Sequence, residues 1–347
     1  MSAATATSTA TATDTAAPAT APSVAPKTTP HRLGMLFEIL AEMGEDPRFT
    51  FALAKVGDPT PLESVDIDHA ESDGHGGLTR FLNQRGISFE SPRPREADVA
   101  PPFVERVRAV VRVARHRGDE PLAIRGNSNW FRGARVIARP SAGILLSAAA
   151  SARIFAAAKA AGVSVSAHLL HALTEAVVPL VAEPGRSVTW GVPVNMRGPI
   201  EVVPADANAS SIMPVNVPRG GDAAQVHDAL LRSLAANLHW GKWDQLNLIA
   251  RLGKRFVRKK VSHYYRTADP ARIGVFSNVG AWRGNTDANI GILGYGVPAL
   301  TDPLFATALT WNGKLALTLR VHPSLATHDT EVERWRDAWV SRLGGPA

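Results

Sequence analysis

The chain has 347 residues, 45% hydrophobic and 20% charged, which is enough for one large globular unit or two lobes with sizeable cores. Its 0 cysteines exclude disulfides, thiolate zinc sites and cysteine nucleophiles, and suit a reducing cytoplasm. A net charge of +7 and a pI near 10.0 fit an anionic partner without choosing among nucleic acid, an anionic membrane face and a phosphate-bearing small molecule, and no uncharged apolar run approaches the roughly 20 residues of a membrane span.

Residues 1–30 are nearly all Ala, Thr, Ser and Pro, with no basic residue before Lys27 and no apolar stretch. They read as a disordered tail rather than a secretory signal or a transit peptide. Two lobes are expected after it, an N-terminal one over 31–140 and a C-terminal one over 141–347. Leu33, Leu36, Phe37 and Leu40 fall at helical spacing before Gly44. Residues 48–57 alternate Phe49, Phe51 and Leu53 on one face, and after the turn signal "GDPTP" a second strand over 61–68 leads to His69. A Pro-rich, charged connection spans Pro92 to Pro102. Residues 103–118 read as a helix with Val104, Val107, Val111 and Ala114 on its inner stripe and arginines outward.

Further on, strands are expected at 135–139 and 143–147, and helices at 149–162 and 164–181, the second capped by Ser164 or Ser166. Strands return at 187–198, 210–218, 272–280 and 315–322, interleaved with helices at 222–238 and 329–343. Mixed elements without a short internal repeat argue for an α/β or α+β sandwich in two halves. There is no phosphate loop, no dinucleotide glycine fingerprint and no metal-ligand cysteine pair.

The stretch "DHAESDG", residues 68–74, sets His69 and Asp73 four apart at a strand-to-helix turn, with Gly74 next. Such turns expose side chains at a sheet edge, where enzymes commonly place reactive groups. The plainer alternative is a turn histidine with an aspartate capping the helix. His69, Asp73 and His75 lie too close around one glycine turn to make a persuasive metal site without a second cluster, so no metal is assigned. His168 and His171, one helical turn apart, read as partly buried polar residues. The run "RLGKRFVRKKVSHYYR", residues 251–266, is the strongest local charge feature. It is either a solvated helix face or a dock for an anionic partner, and no other feature supports a nucleic-acid module.

Taken in order, several short stretches resemble the chloramphenicol acetyltransferase-like acyltransferase superfamily, which includes condensation domains, alcohol acyltransferases and wax ester synthases. "DHAESDG" is similar to its HxxxDG motif, "AAKAAGVSVSAHLLHALTEAV" to the helix pair after the lobe crossover, and "VPVNMRG" to a "VNLR"-like strand. Asn208 falls where several relatives carry an asparagine, "FSNVG" resembles their "SNLG"-like turn, and "GKLALTLRVHPSLATHDTEVERWRDAWVSRL" their last strand and closing helix. The resemblance covers about residues 48 to 343. Two departures stand out: Asp68 replaces a second histidine that several relatives have, and about forty structured residues precede the motif where relatives usually have more than a hundred.

The resemblance implies an α/β, two-lobed chloramphenicol acetyltransferase-like sandwich with a shortened N-terminal lobe. It implies acyl transfer from a thioester, acyl-CoA or a phosphopantetheine-bearing acyl carrier protein, to an alcohol or amine acceptor, with no tightly bound cofactor. His69 would be the general base, Asp73 a loop-fixing carboxylate paired with Arg197, Gly74 the motif glycine, and Ser277 and Asn278 the oxyanion donors. Lys254, Arg255, Arg258, Lys259 and Lys260 would recruit the donor's phosphates or touch a membrane surface. The alternative is a non-catalytic member of the same fold that binds a lipid or a carrier protein. A cytoplasmic location, with or without peripheral membrane contact, is expected.

Overall fold

The computed structural model describes residues 31–58, 60–92, 99–116, 123–125, 139–200, 206–267, 272–299 and 302–344. The first part holds α1 (His31–Glu42), β1 (Arg48–Lys55), β2 (Glu63–Asp68), α2 (Gly74–Gln84), β3 (Phe89–Glu90) and α3 (Phe103–Arg115). The second continues with β4 (Ser141–Leu145), α4 (Ala148–Ala160), α5 (Val165–Val181), β5 (Ser187–Asn195), β6 (Ser210–Pro218), α6 (Ala223–Ala235), α7 (Leu238–Arg251) and α8 (Lys254–Thr267). It closes with β7 (Gly274–Gly284), β8 (Ile290–Tyr295), β9 (Leu304–Trp311), β10 (Lys314–Val321) and α9 (Asp329–Arg342). Among the described residues no single helix is long and apolar enough to cross a membrane.

These strands form two sheets. The larger has seven strands in the order β4-β10-β9-β7-β5-β6, with β3 paired to the far end of β7, and its β5, β7 and β9 run parallel. The smaller is β2-β1-β8, so a strand from late in the chain completes the sheet that begins at residue 48. Helices α5, α6 and α9 cover one face of the large sheet over a core that includes Leu169, Leu173, Val177, Trp190 and Trp339. Both buried indoles find acceptors there: Trp190 Nε1 donates to Thr174 Oγ1 at 3.1 Å and Trp339 Nε1 to the Leu169 carbonyl at 3.0 Å. A second core joins the small sheet to the large one through Phe49, Phe51, Leu293, Leu309 and Trp311, under Leu78 and Phe81 of α2.

Local chemistry sets several of the helix starts. Ser164 caps α5 by accepting from the Ala167 N–H at 3.2 Å, which decides between the two serines, and Asp222 and Gln225 form a reciprocal capping box on α6. The single helix expected over 222–238 breaks at Asn237, whose φ of 56° is left-handed, and a new helix, α7, starts there.

Val104, Val107, Val111 and Ala114, expected on the inner stripe, are all exposed, and the buried residue of α3 is Ala109. The helix is turned by its neighbour: Arg106 grips Asp244 of α7 and lies over the Trp240 ring, 5.2 Å from its centroid. At the crossing, a Cβ on Gly241 would come within 2.3 Å of the Ala109 carbonyl oxygen, so only glycine admits this approach. The strand expected at 135–139 lies outside the described residues except for Arg139, whose Nη2 is 3.0 Å from Glu45 Oε2.

Candidate active site

The antiparallel β1–β2 pair ends with Arg48 opposite Asp68 and delivers the chain to His69, whose N–H donates to the Pro47 carbonyl at 3.1 Å. From there a tight loop runs into α2, where Asp73 is the N-cap and accepts from the Gly76 N–H at 2.8 Å. The capping role proposed as the plainer alternative is therefore present. It accounts for only a small part of what Asp73 does.

Asp73 is fully buried and its two oxygens are saturated. Arg197 Nη1 lies 3.0 Å from Oδ1 and 2.8 Å from Oδ2, and Oδ2 also accepts from the Ala209 N–H at 2.7 Å and from Ser210 Oγ at 3.0 Å. One guanidinium nitrogen bridges both oxygens, in place of the parallel fork that two nitrogens would make; the second, Nη2, donates to the Ala207 carbonyl. Burial alone would raise the Asp73 pKa, but the charge and hydrogen bonds of Arg197 and the two backbone donors outweigh it and hold the carboxyl below its ordinary range. Asp73 thus stays ionised and turned into the protein, fastening the His69 loop to the loop before β6.

His69 is held from several sides. Phe37 of α1 stacks on the ring at 4.1 Å with an interplanar angle of 18°, and Phe49 of β1 meets it edge-on at 5.3 Å. Its Nδ1 lies 2.9 Å from the Ser72 carbonyl oxygen, which can only accept, so Nδ1 carries the proton. Asn208 Nδ2 donates to the His69 carbonyl at 2.9 Å, while its Oδ1 accepts from the Ser210 N–H at 3.3 Å. That fixes the Asn208 amide, and its 3.1 Å approach to Nδ1 brings two donors together as a contact. The lone pair of the ring is left on Nε2, which has no hydrogen-bond partner among the described residues. Burial holds the His69 pKa below the ordinary histidine range, against the opposing pull of the Asp73 charge and the Ser72 carbonyl.

His69 lines a cavity of about 1510 Å³, walled by α1 and β1 on one side and by β5, β6, β7 and helices α6, α7 and α8 on the other. His75, Arg197, Asn208, Ser277 and Asn278 also line it. His75 packs against Trp282 at 4.7 Å, and burial together with the Arg197 charge lowers its pKa.

Gly74 opens α2 on the cavity wall, where a Cβ would meet only a Val279 methyl at 3.9 Å. The tight packing falls on Gly76, where a Cβ would be 2.2 Å from the Asp206 carbonyl oxygen. Asn278 Nδ2 donates to Ser166 Oγ at 3.0 Å and its Oδ1 accepts from the Gly280 N–H at 3.0 Å, so its amide already serves the β7 turn. In the basic run, Lys254 Nζ sits 3.0 Å from Glu38 Oε2 and 2.9 Å from Glu42 Oε1, and Arg258 is 2.5 Å from Glu42 Oε2, so two of the five cations fasten α8 to α1. Lys260 reaches the cavity, 5.8 Å from the Phe256 ring centroid. Lys242 also lines the cavity, a residue that motif and spacing did not single out; its one signal was a lysine set between two tryptophans in "HWGKWDQL".

No family profile and no curated protein matches the sequence. Solved structures do match the fold. A non-ribosomal peptide synthetase, FmoA3, superposes with a TM-score of 0.50 at 15% identity over 81% of this chain and 30% of that one. The first condensation domain of the CDA synthetase gives 0.49 at 13% identity over 82% of this chain, which spans 64% of that domain's chain. A wax ester synthase/diacylglycerol acyltransferase from Marinobacter aquaeolei VT8 gives 0.47 at 14% identity over 92% of this chain and 76% of that one. At such identities it is the fold that is shared. The chain has the α/β, two-lobed chloramphenicol acetyltransferase-like fold, here with three strands in its small sheet among the described residues.

Proposed function

We propose that the protein transfers an acyl group from a thioester to an alcohol or amine. The observation that carries this reading is the His69 ring: neutral by burial, protonated on Nδ1 by the Ser72 carbonyl, and offering Nε2 beside a large, mostly apolar cavity. A neutral imidazole takes the proton of the acceptor O–H or N–H as that atom attacks the thioester carbonyl carbon. The resulting oxyanion needs a donor. Since the Asn278 amide is engaged, the Ser277 hydroxyl on the same wall takes that role. As the intermediate collapses, the C–S bond breaks and the proton on Nε2 passes to the departing thiolate, which regenerates neutral His69 without a covalent enzyme intermediate.

The donor is an acyl-CoA or a carrier-borne phosphopantetheine thioester, recruited by the exposed cations of α8. Because Lys254 and Arg258 are occupied by Glu38 and Glu42, the recruiting charges are Arg255, Lys259 and Lys260. Neutralising Arg255 and Lys259 should raise the donor's apparent KM, more so at low salt, with kcat little changed. Incubation with a panel of acyl-CoAs and acceptor alcohols or amines, following free thiol, tests the proposal. Acceptor-dependent thiol release that is lost in His69→Ala supports it, and no release across the panel leaves the fold serving as a binding scaffold.

A further inference from the structure

The mechanism above leaves one half-buried charge of the cavity, Lys242, without a task. Lys242 lies on the inner face of α7, with Gln245, Leu246 and Ile249 following at the spacing that keeps them on one side, and all four line the cavity. Its Nζ donates to Gln245 Oε1 at 3.1 Å, a neutral acceptor. No carboxylate pairs with it among the described residues. The carboxylate that acts on it through space, Asp302, is gripped by Arg272, with Nε 2.6 Å from Oδ1 and Nη2 2.8 Å from Oδ2. Asp302 is thus committed to Arg272, and among the described residues the charge of Lys242 is left over.

A lone ammonium against an apolar wall is costly unless something offsets it. Burial lowers the Lys242 pKa to about 8, with the Arg272 charge adding to the effect and Asp302 opposing it, so at neutral pH the group is still mostly an ammonium. A ligand anion would supply the missing counter-charge. One excess positive charge matches a singly charged carboxylate better than a dianionic phosphate, and the remaining donors of the Gln245 amide suit a second carboxylate oxygen.

We propose that the cavity seats a carboxylate-bearing amphiphile, its carboxylate on Lys242 Nζ and Gln245 and its apolar body along Leu246 and Ile249. Only the role given to this ligand, that of acyl acceptor with a hydroxyl or amine directed to His69, rests on the acyl-transfer reading. The subsite itself does not.

The test separates the two. Calorimetric titration of the full chain with octanoate and with octanamide compares a charged head with a neutral one of the same length. Octanoate should bind at least about tenfold more tightly. The preference should vanish in Lys242→Met and return in part in Lys242→Arg, with thermal unfolding used to check that each variant is folded. Equal binding of the two ligands by the unmutated protein, which needs no variant, overturns the proposal, as does an unchanged preference in a folded Lys242→Met. Thiol release is then followed with a hydroxy acid and its methyl ester as acceptors. A binding preference without turnover supports the subsite and overturns acyl transfer, whereas turnover with no preference for the acid does the reverse.

Discussion

At the scale of single residues, His69 and Asp73 divide the work of one loop. His69→Ala should lower turnover by about two to four powers of ten while the protein stays folded, as assayed by thiol release and circular dichroism. The pH dependence follows from the burial of the ring. If His69 is the base, as proposed, its neutral form acts and its pKa lies below the ordinary histidine value, so kcat/KM should rise through an inflection under about 6.5 and level off by about pH 7. An inflection above 7 would point to a different base. Asp73→Asn and Arg197→Ala should each cost about 3 to 5 kcal/mol of stability, since each strands a buried partner. The double variant should cost less than their sum, and strict additivity in denaturant titrations would show that the pair is not coupled. The sequence made His69, Asp73 and Arg197 visible because each sits in a short ordered motif. It could not show the Ser72 carbonyl, the Phe37 stack or the engagement of Asn278 by Ser166, because these depend on where α1, α5 and the backbone arrive in space.

At the scale of elements, α3 and α7 cross where Gly241 meets Ala109. Replacing Gly241 with valine should push the helices apart and destabilise the protein by about 1 to 3 kcal/mol, whereas Val107→Ala on the exposed face should stay within about 0.5 kcal/mol. Equal effects of the two in denaturant titrations would remove this account of the crossing. The same contact explains why α3 was misread: its valines fall on two faces, and the choice between them is made by Trp240 and Asp244, which α3's own sequence does not contain. Most helices were legible from capping residues and spacing. Strand β8, "IGILGY", was not, because it is almost wholly buried and shows no alternation. Strand β9 carried a signal that went unused: Asn312 and Gly313, both at positive φ, turn it directly into β10 as an Asn-Gly hairpin.

For the whole molecule, the seam between the sheets holds a histidine that titrates out of range. His322, 2% exposed, follows β10; its Nδ1 accepts from the Ser324 N–H at 3.1 Å, and Nε2 stands 3.7 Å from Glu45, a carboxylate already matched by Arg139. Burial, then the Arg139 charge, lowers its pKa to about 3. The folded protein thus keeps His322 neutral while the unfolded chain takes up a proton below about pH 6.5, so its contribution is complete above 6.5 and is lost as pH falls toward 3. Unfolding free energy should drop between pH 6.5 and 4.5, before most carboxylates titrate, by an amount on the order of 2 kcal/mol that shrinks in His322→Gln. The same drop in the variant would assign the loss to other groups.

The placement of β8 also bears on how the chain is made. Strand β1 lies between β2 and β8 in the finished sheet, yet β8 is translated long after it. At roughly 5 to 20 residues per second, β1 spends on the order of ten seconds or more on the ribosome with one row of its peptide groups unmatched. A nascent chain arrested before residue 290 should therefore be cut by added protease within 48–68, and one arrested well beyond 321, with β8 and its neighbours outside the exit tunnel, should resist. The loop that carries His69 would then acquire its rigid footing only once β8 has been made, which makes translation of β8, rather than emergence of the motif, the moment at which the ring is held in place.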